Sequence, residues 1–555
     1  MRANKLLLLG ASLATLAVLA VAAWQESVHR EWRRVQREYR AKLPPAQAAA
    51  FAEQLRQVYV PSLHATDRCI TCHLGMAPGE TPIEGDRVFG KHPDVAHDPA
   101  DFGCTVCHGG QGRATEAADA HGTVEFWPRP MLPPRAAQAG CGSCHTHVAV
   151  PALAELEAGR AAIARNDCLS CHALDGRGGT MRPGTTAVPA PDLSRVGARG
   201  WDHGWYDGHL AKHAAAADGL WRTAFGPIPA DDRAAIEELL TSRVGAPKLV
   251  EAKAVFHSLG CRGCHKVAGV GGDDGPDLTR EGEKDPGQTD FTHVPGEPTI
   301  AAWLAAHFRA PGAVVPNSAM PQLGLTDAQI DALVLYMLAL RRSDQPEAYW
   351  PKDRIRAERF GEREFATDGA TLFGTFCAAC HGQHGEGMRY PGMAAFPAIG
   401  NPDFLAVASD RFLTETVTHG RPGRRMAAWG EGGLRPAEIT AVVQYVRGFA
   451  GGAPAPEEAA PRRVVTGDVA EGGRLYAAAC ASCHGADGEG KEGPALSNRR
   501  FLAAATDTYL LETVKRGRRG TSMAGFGQPS PAHRALADDE IASVVAFIRS
   551  WEDQQ

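Results

Sequence analysis

One pentapeptide, C-x-x-C-H, recurs seven times along the chain and restricts its fold more than any other feature. The copies are Cys69-Cys72-His73, Cys104-Cys107-His108, Cys141-Cys144-His145, Cys168-Cys171-His172, Cys261-Cys264-His265, Cys377-Cys380-His381 and Cys480-Cys483-His484. Together they use all 14 cysteines, so no thiol is left for a disulfide framework or a further metal site. The spacing is that of c-type haem attachment: two thiols form thioether bonds to the porphyrin, and the adjoining histidine is the proximal iron ligand. Two intervening residues let one turn of backbone present both sulfurs to the haem edge while the histidine swings under the iron. Zinc ribbons need a second ligand pair and no fixed trailing histidine, and a thioredoxin-like pair occurs once per fold. The expected cofactors are therefore seven covalently bound c-type haems, each with its iron.

At 555 residues the chain is too long for one core, and four or five domains are expected. A net charge of −6 gives no support for a nucleic-acid partner. The aromatic content of 7% is low, in keeping with cores built largely around cofactor. After Met1-Arg2-Ala3-Asn4-Lys5 the sequence is apolar from Leu6 to about Trp24, between a signal-peptide core and a full span in length. An uncleaved anchor is favoured over a cleaved signal. Arg30, Arg33, Arg34, Arg37 and Arg40 follow it, against the positive-inside expectation for an exported C-terminus, and Glu26, Glu31 and Glu38 offset them little. Covalent haem attachment decides the point, because in bacteria it takes place outside the cytoplasmic membrane. The expectation is a single anchor in the inner membrane with haem domains in the periplasm.

The expected architecture is mainly α: a membrane helix (1–24), a helical stalk (25–60), a loop-rich triheme module (61–150), then four small helical domains in tandem. In the stalk, charged residues mix with Trp32, Val35, Tyr39, Phe51 and Leu55, interrupted at Pro44-Pro45. It reads either as a solvated spacer or as a helix docking on a membrane partner. In 61–150 three motifs lie too close together for separate folds, so the haems must pack on one another. His64, His92, His97, His121 and His147 outnumber the methionines Met76 and Met131 there, which points to bis-histidine irons. His92, His97 and His121, in Gly/Pro-rich loops, are the preferred distal ligands. His64 and His147 read more simply as exposed residues, with His147 an alternative ligand for a neighbouring haem.

From 151 onward each motif sits in a repeated pattern of helix, motif, Gly-rich loop with a proline, ligand loop and C-terminal amphipathic helix. In 246–342 the markers are Phe256, Pro276, Met320 and Tyr336; in 366–450, Phe373, Pro397, Met426 and Tyr445; in 464–555, Tyr476, Pro494, Met523 and Phe547. These units resemble the class I cytochrome c family. The resemblance implies that Met320, Met426 and Met523 are distal ligands, and that Pro276, Pro397 and Pro494 offer carbonyls to the proximal imidazoles. Met388 and Met393 are weaker rivals in the sixth haem unit. The fourth unit, 151–245, keeps Pro191 but has Leu220-Trp221-Arg222-Thr223 where the methionine belongs. His203, His209 or His213 is then the distal candidate, with His209 corresponding to His307 of the next unit; Met181 lies too near the motif. Charged, Pro-containing residues 343–365 and the Ala/Pro/Gly/Glu segment 451–463 read as linkers, leaving a mobile terminal domain.

A methionine sulfur raises haem potential relative to a second imidazole. Potential is therefore expected to rise from the membrane end to the free end, carrying electrons from the triheme module outward through the sixth and seventh haems. The stretches Val60-Pro61-Ser62-Leu63 to Cys69 and Phe102-Gly103-Cys104 to Arg113 resemble membrane-anchored multihaem cytochromes that accompany bacterial cytochrome b/Rieske-type complexes. That resemblance implies such a quinol-oxidising complex as donor, and a soluble cytochrome or terminal oxidase as acceptor. Two other readings remain. One is a redox enzyme with an open fourth haem flanked by His209, His213, Asp218 and Arg222; the other is the cytochrome subunit of a periplasmic dehydrogenase.

Overall fold

An aliphatic run with no proline satisfies its backbone most simply as a helix, and in the computed structural model Arg2–Val28 is one continuous helix. Within it Ala3–Gln25 has a mean hydropathy of 2.4 and no buried share. At 1.5 Å per residue this stretch is about 34 Å long, sufficient for a hydrocarbon layer of about 30 Å. The structure describes residues 2–93, 95, 97–147, 150–179, 190–213, 228–341, 345–451, 455–456 and 461–553.

The stalk is not a free spacer. Glu31–Lys42 places Trp32, Gln36 and Tyr39 on one buried face, and Gln36 and Tyr39 pack on residues 61–150. The Gln36 amide donates to the Gln54 carbonyl at 2.7 Å and to that of Thr71, inside the first motif, at 2.9 Å. Tyr39 donates to the Thr81 carbonyl (2.8 Å) and packs between Phe51 and Phe89. The arginines after the anchor are held by protein groups. Arg30 pairs with Glu116, Arg33 with Glu53, and Arg34 with Glu31 and Glu38. Arg37 donates to the Val28 carbonyl and Arg40 to that of Ala48.

The triheme module has little regular structure: a hairpin of Val58–Val60 with Ala65–Asp67, short single-turn helices and loops. Asp67, 1% exposed, organises it. Its carboxylate accepts from the Cys104 and Thr105 amides (2.5 and 2.8 Å) and the Thr105 hydroxyl (2.8 Å), tying the strand before the first motif to the second motif.

In the following domains a helix before each motif crosses a later one. Leu153–Arg165 packs on Ala230–Ser242, Pro247–Ser258 on Asp327–Ala339, Gly369–Phe376 on Pro436–Gly448, and Val469–Ala479 on Asp538–Asp553. Close approach demands small residues: a Cβ on Gly159, Gly369 or Gly472 would overlap the Ala235, Ala441 or Ser543 carbonyl oxygen. Beside three of these crossings stands the expected aromatic pair, Phe256–Tyr336 at 4.8 Å, Phe373–Tyr445 at 5.5 Å and Tyr476–Phe547 at 5.4 Å between ring centroids.

The described part of the first expected linker, 345–365, is built into the molecule. Tyr349 packs edge-on against Phe102 and its hydroxyl lies 2.6 Å from that of Ser62. The helix Lys352–Phe360 buries Arg354 over the Trp350 ring, with 3.7 Å between guanidinium and centroid. The terminal domain, expected to be mobile, shares one apolar core with the sixth haem domain. Phe412 stacks on Tyr509 at 4.4 Å and 24°. Around this stack the contacts are reciprocal. Asn401 donates to the Arg519 carbonyl and Asn498 to that of Pro422; Arg421 lies over Phe501 and Arg518 over Phe404. Asp403 adds a salt bridge to Arg519 at 2.9 Å.

Candidate haem-attachment sites

All seven motifs close the same helical turn. The amide of each histidine donates to the carbonyl of the motif's first cysteine, at 2.9 Å in five copies and 3.0 Å at His265 and His484. Residues three apart on such a turn share a face, so both sulfurs face one way and the histidine follows.

In the triheme module each motif histidine meets a second one from a different loop. His73 faces His121 with 6.4 Å between ring centroids, His108 faces His92 at 6.0 Å, and His145 faces His97 at 6.1 Å. Two imidazoles bound to opposite sides of one metal, through bonds of about 2 Å each, have their ring centres roughly 6 Å apart. The three preferred distal candidates are thus each brought to one motif. The pairing is interleaved: His92 lies after the first motif but faces the second, whereas His121 lies after the second and faces the first. His64 has a left-handed backbone at the end of a short turn, and His147 bonds the Thr146 hydroxyl through its Nδ1 at 2.8 Å.

In the four later domains the proline carbonyl is where the repeated pattern puts it. Nδ1–H donates to Pro191 from His172 (2.8 Å), to Pro276 from His265 (2.9 Å), to Pro397 from His381 (2.9 Å) and to Pro494 from His484 (2.8 Å). Such a bond fixes the tautomer that leaves Nε2 free for a metal. Burial holds His73, His108, His145, His381 and His484 below the usual histidine range, hence neutral.

The methionine loops of the last two domains share one design. Arg421 donates its amide to the Met426 carbonyl (2.8 Å), and Arg518 to that of Met523 (2.9 Å). Met320 is braced by the Ser318 hydroxyl at 3.2 Å. Of the rivals, Met393 has its sulfur engaged by Arg425 at 3.9 Å, and Met388 accepts from the Phe396 amide. In the fourth domain His209 stacks on Trp205 at 4.9 Å, as His307 does on Trp303 at the same distance, so the expected correspondence holds. His203 instead pairs with Glu237. Met181, Asp218, Arg222 and the His213 side chain lie outside the described residues.

The motifs also touch one another. The Cys104 amide donates to Asp67, two residues before the first motif. Gly140 abuts the Cys107 carbonyl, Gly142 abuts Ala339 of the fifth haem domain, and Gly260 abuts the Ala379 amide. Sequence reasoning did not single out Asp67, Arg262 or Glu364. Arg262 had a visible signal, an arginine inside a motif; Asp67 and Glu364 take their importance from distant partners. Paired imidazoles, carbonyl-oriented histidines and sulfurs gathered on single turns fit covalently bound haem.

The family model for subunit III of cbb3-type cytochrome c oxidase matches residues 364–446 and again 467–548, and that for cytochrome c matches 249–341. Among curated relatives, the cbb3-type cytochrome c oxidase subunit FixP of Bradyrhizobium sp. (strain ORS 278) is 32% identical over 174 residues, 29% of this chain and 55% of FixP. Subunit CcoP of Azospirillum sp. (strain B510) is 28% identical over 234 residues, 39% of this chain and 69% of CcoP. CcoP of Rubrivivax gelatinosus is 32% identical over 184 residues, 33% of this chain and 53% of CcoP. The chain thus spans about half the length of the FixP relatives it matches. A solved chain of the Kuenenia stuttgartiensis reducing HAO-like protein complex Kustc0457/Kustc0458 aligns with 18% identity and a TM-score of 0.24, over 33% of this chain and 94% of that one. The matched segments carry the fifth, sixth and seventh motifs on the helix pairs and carbonyl-bonded histidines described above. Three of the domains are therefore cytochrome c domains, and the chain is a multihaem c-type cytochrome.

Proposed function

We propose that the chain holds seven c-type haems as a single-electron conduit between a membrane quinol-oxidising complex and a soluble cytochrome or terminal oxidase. The observation that carries this reading is a succession of packing contacts that links the haem-bearing segments. The Cys104 amide of the second motif bonds Asp67, two residues before the first; the second motif meets the third at Cys107–Gly140, and the third reaches the fifth domain at Gly142–Ala339. The fifth domain touches the sixth motif at Gly260–Ala379, and the sixth and seventh domains share a core. The fourth domain leans on this line from the side, burying Val250 and Ala254 of the fifth domain's first helix in its own core.

Bound haem supplies a one-electron iron centre at each motif. The protein sets its ligands. His121, His92 and His97 serve the first three motifs, Met320, Met426 and Met523 the last three, and His209 the fourth. Imidazole pairs near the anchor and sulfur ligands at the far end order the potentials upward, and so direct electrons outward. The likeness of the last two domains to cbb3-type oxidase subunits supports an oxidase as acceptor. A cytochrome b/Rieske-type donor rests on the triheme resemblance alone. The N-terminal helix holds the chain in the bacterial inner membrane with its haem domains in the periplasm.

The test is a haem count by pyridine haemochrome beside an EPR spectrum of the oxidised full-length protein. Seven haems, all low-spin, are expected, and His121→Ala should convert one of them to high-spin. A stoichiometric high-spin signal in the parent protein would overturn the pure carrier and favour an enzyme with an open fourth haem.

A further inference from the structure

Three haem-bearing segments meet at a small buried cluster of charge that ligation does not use. Lys253 lies on the helix before the fifth motif, Arg262 lies inside that motif, and Glu364 opens the sixth haem domain. Arg262 is 0% exposed, the Lys253 side chain 5% and that of Glu364 16%. Glu364 bonds Arg262 through one carboxylate oxygen and Lys253 through the other, the latter at 3.3 Å. Lys253 also lies 3.4 Å from the carbonyl of Thr146, the residue after the third motif. Arg262 donates to the Val267 and Val270 carbonyls at 2.8 and 3.0 Å. Gly260, two residues before Arg262, abuts the Ala379 amide of the sixth motif.

Holding two cations and one carboxylate out of water is a poor way to stabilise a fold, since an apolar substitute of similar volume often does as well. Their position gives them another effect. Adding an electron to a nearby iron is favoured by positive charge and opposed by negative charge. In the interior, a unit charge about 10 Å away at an effective dielectric near 20 changes the ferrous-to-ferric ratio roughly tenfold or more.

We propose that Glu364, with Lys253 and Arg262, positions the redox level of the haems at the junction of the third, fifth and sixth motifs, as the one negative charge of this triad. Burial alone would raise the Glu364 carboxyl, yet Lys253 and Arg262 hold it at about 2, so it stays charged at every physiological pH. The same two cations, together with burial, keep neighbouring His257 neutral. Glu364 is thus a fixed negative charge rather than a proton store. The proposal rests on haem attachment as read above, and the haem count tests that reading separately.

The experiment is a spectropotentiometric titration of the full-length protein and two variants in detergent. Glu364→Gln should move one or two of the seven components toward easier reduction, raising their ferrous-to-ferric ratio about tenfold at the parent midpoint. Lys253→Met should move the same components oppositely, and the double variant should bring them back toward the parent. If the glutamine variant loses haem, Lys253→Met and the parent's salt dependence carry the test. Buried charges are screened little, so the affected components should hold their potentials from low to high salt. Variants that keep seven haems and titrate like the parent would overturn the proposal. So would a salt shift in these components as large as in the rest.

Discussion

A side chain's ionisation here follows from its partners more than from its type. The seventh domain shows this at Asp507, 1% exposed. Burial alone would raise its pKa, but the Val464 and Val465 amides (2.7 and 2.8 Å) and the Arg549 guanidinium (2.7 Å) donate to its carboxylate and hold it below the usual range. Because the folded value is the lower one, the stabilisation is fully present above about pH 4 and is lost as pH falls through the folded value. Amide exchange across 464–553 in the full chain should therefore accelerate on acidification, while Asp507→Asn should flatten that dependence. The variant should also destabilise the domain by about 2 kcal/mol at neutral pH, since it replaces the charged acceptor of three buried hydrogen bonds, while Arg549 keeps Glu552 as a partner.

Helix pairs carry the later domains, and their crossings are their weak points. A methyl group on Gly472 would overlap the Ser543 carbonyl, so Gly472→Ala should cost about 1–3 kcal/mol and Gly472→Val more, read as a lowered thermal midpoint of the holoprotein. These crossings were legible in the sequence because a helix, the motif, a Gly-rich loop and a C-terminal amphipathic helix recur in the same order along the chain. The stalk and linkers were not. Trp32, Gln36 and Tyr39 make a three-residue stripe that reads equally as surface until Thr71 and Thr81 are brought to it from 35 to 42 residues away. A charged stretch such as 345–365 resembles a tether for the same reason, its neutralising partners being remote. The distal candidates lay between. Their abundance in 61–150 was plain, but their interleaved pairing is a property of the loops in space.

At the scale of the whole molecule, mutual packing turns a string of small domains into one body. The junction of the sixth and seventh domains is the place to test that. Tyr509→Ala removes the central stack and should leave both domains folded but parted, with faster proteolysis within 451–463 and a larger radius of gyration in solution scattering. A parent protein already as extended as the variant would contradict the packed arrangement. The central contacts across this junction join equivalent positions, because Asn401, Phe404, Phe412 and Arg421 are each matched by the residue 97 places on, at Asn498, Phe501, Tyr509 and Arg518. Self-complementary surfaces of this kind are what two identical subunits make across a twofold axis. The sixth and seventh domains thus meet as two copies of one subunit would, across an approximate twofold seam inside a single chain.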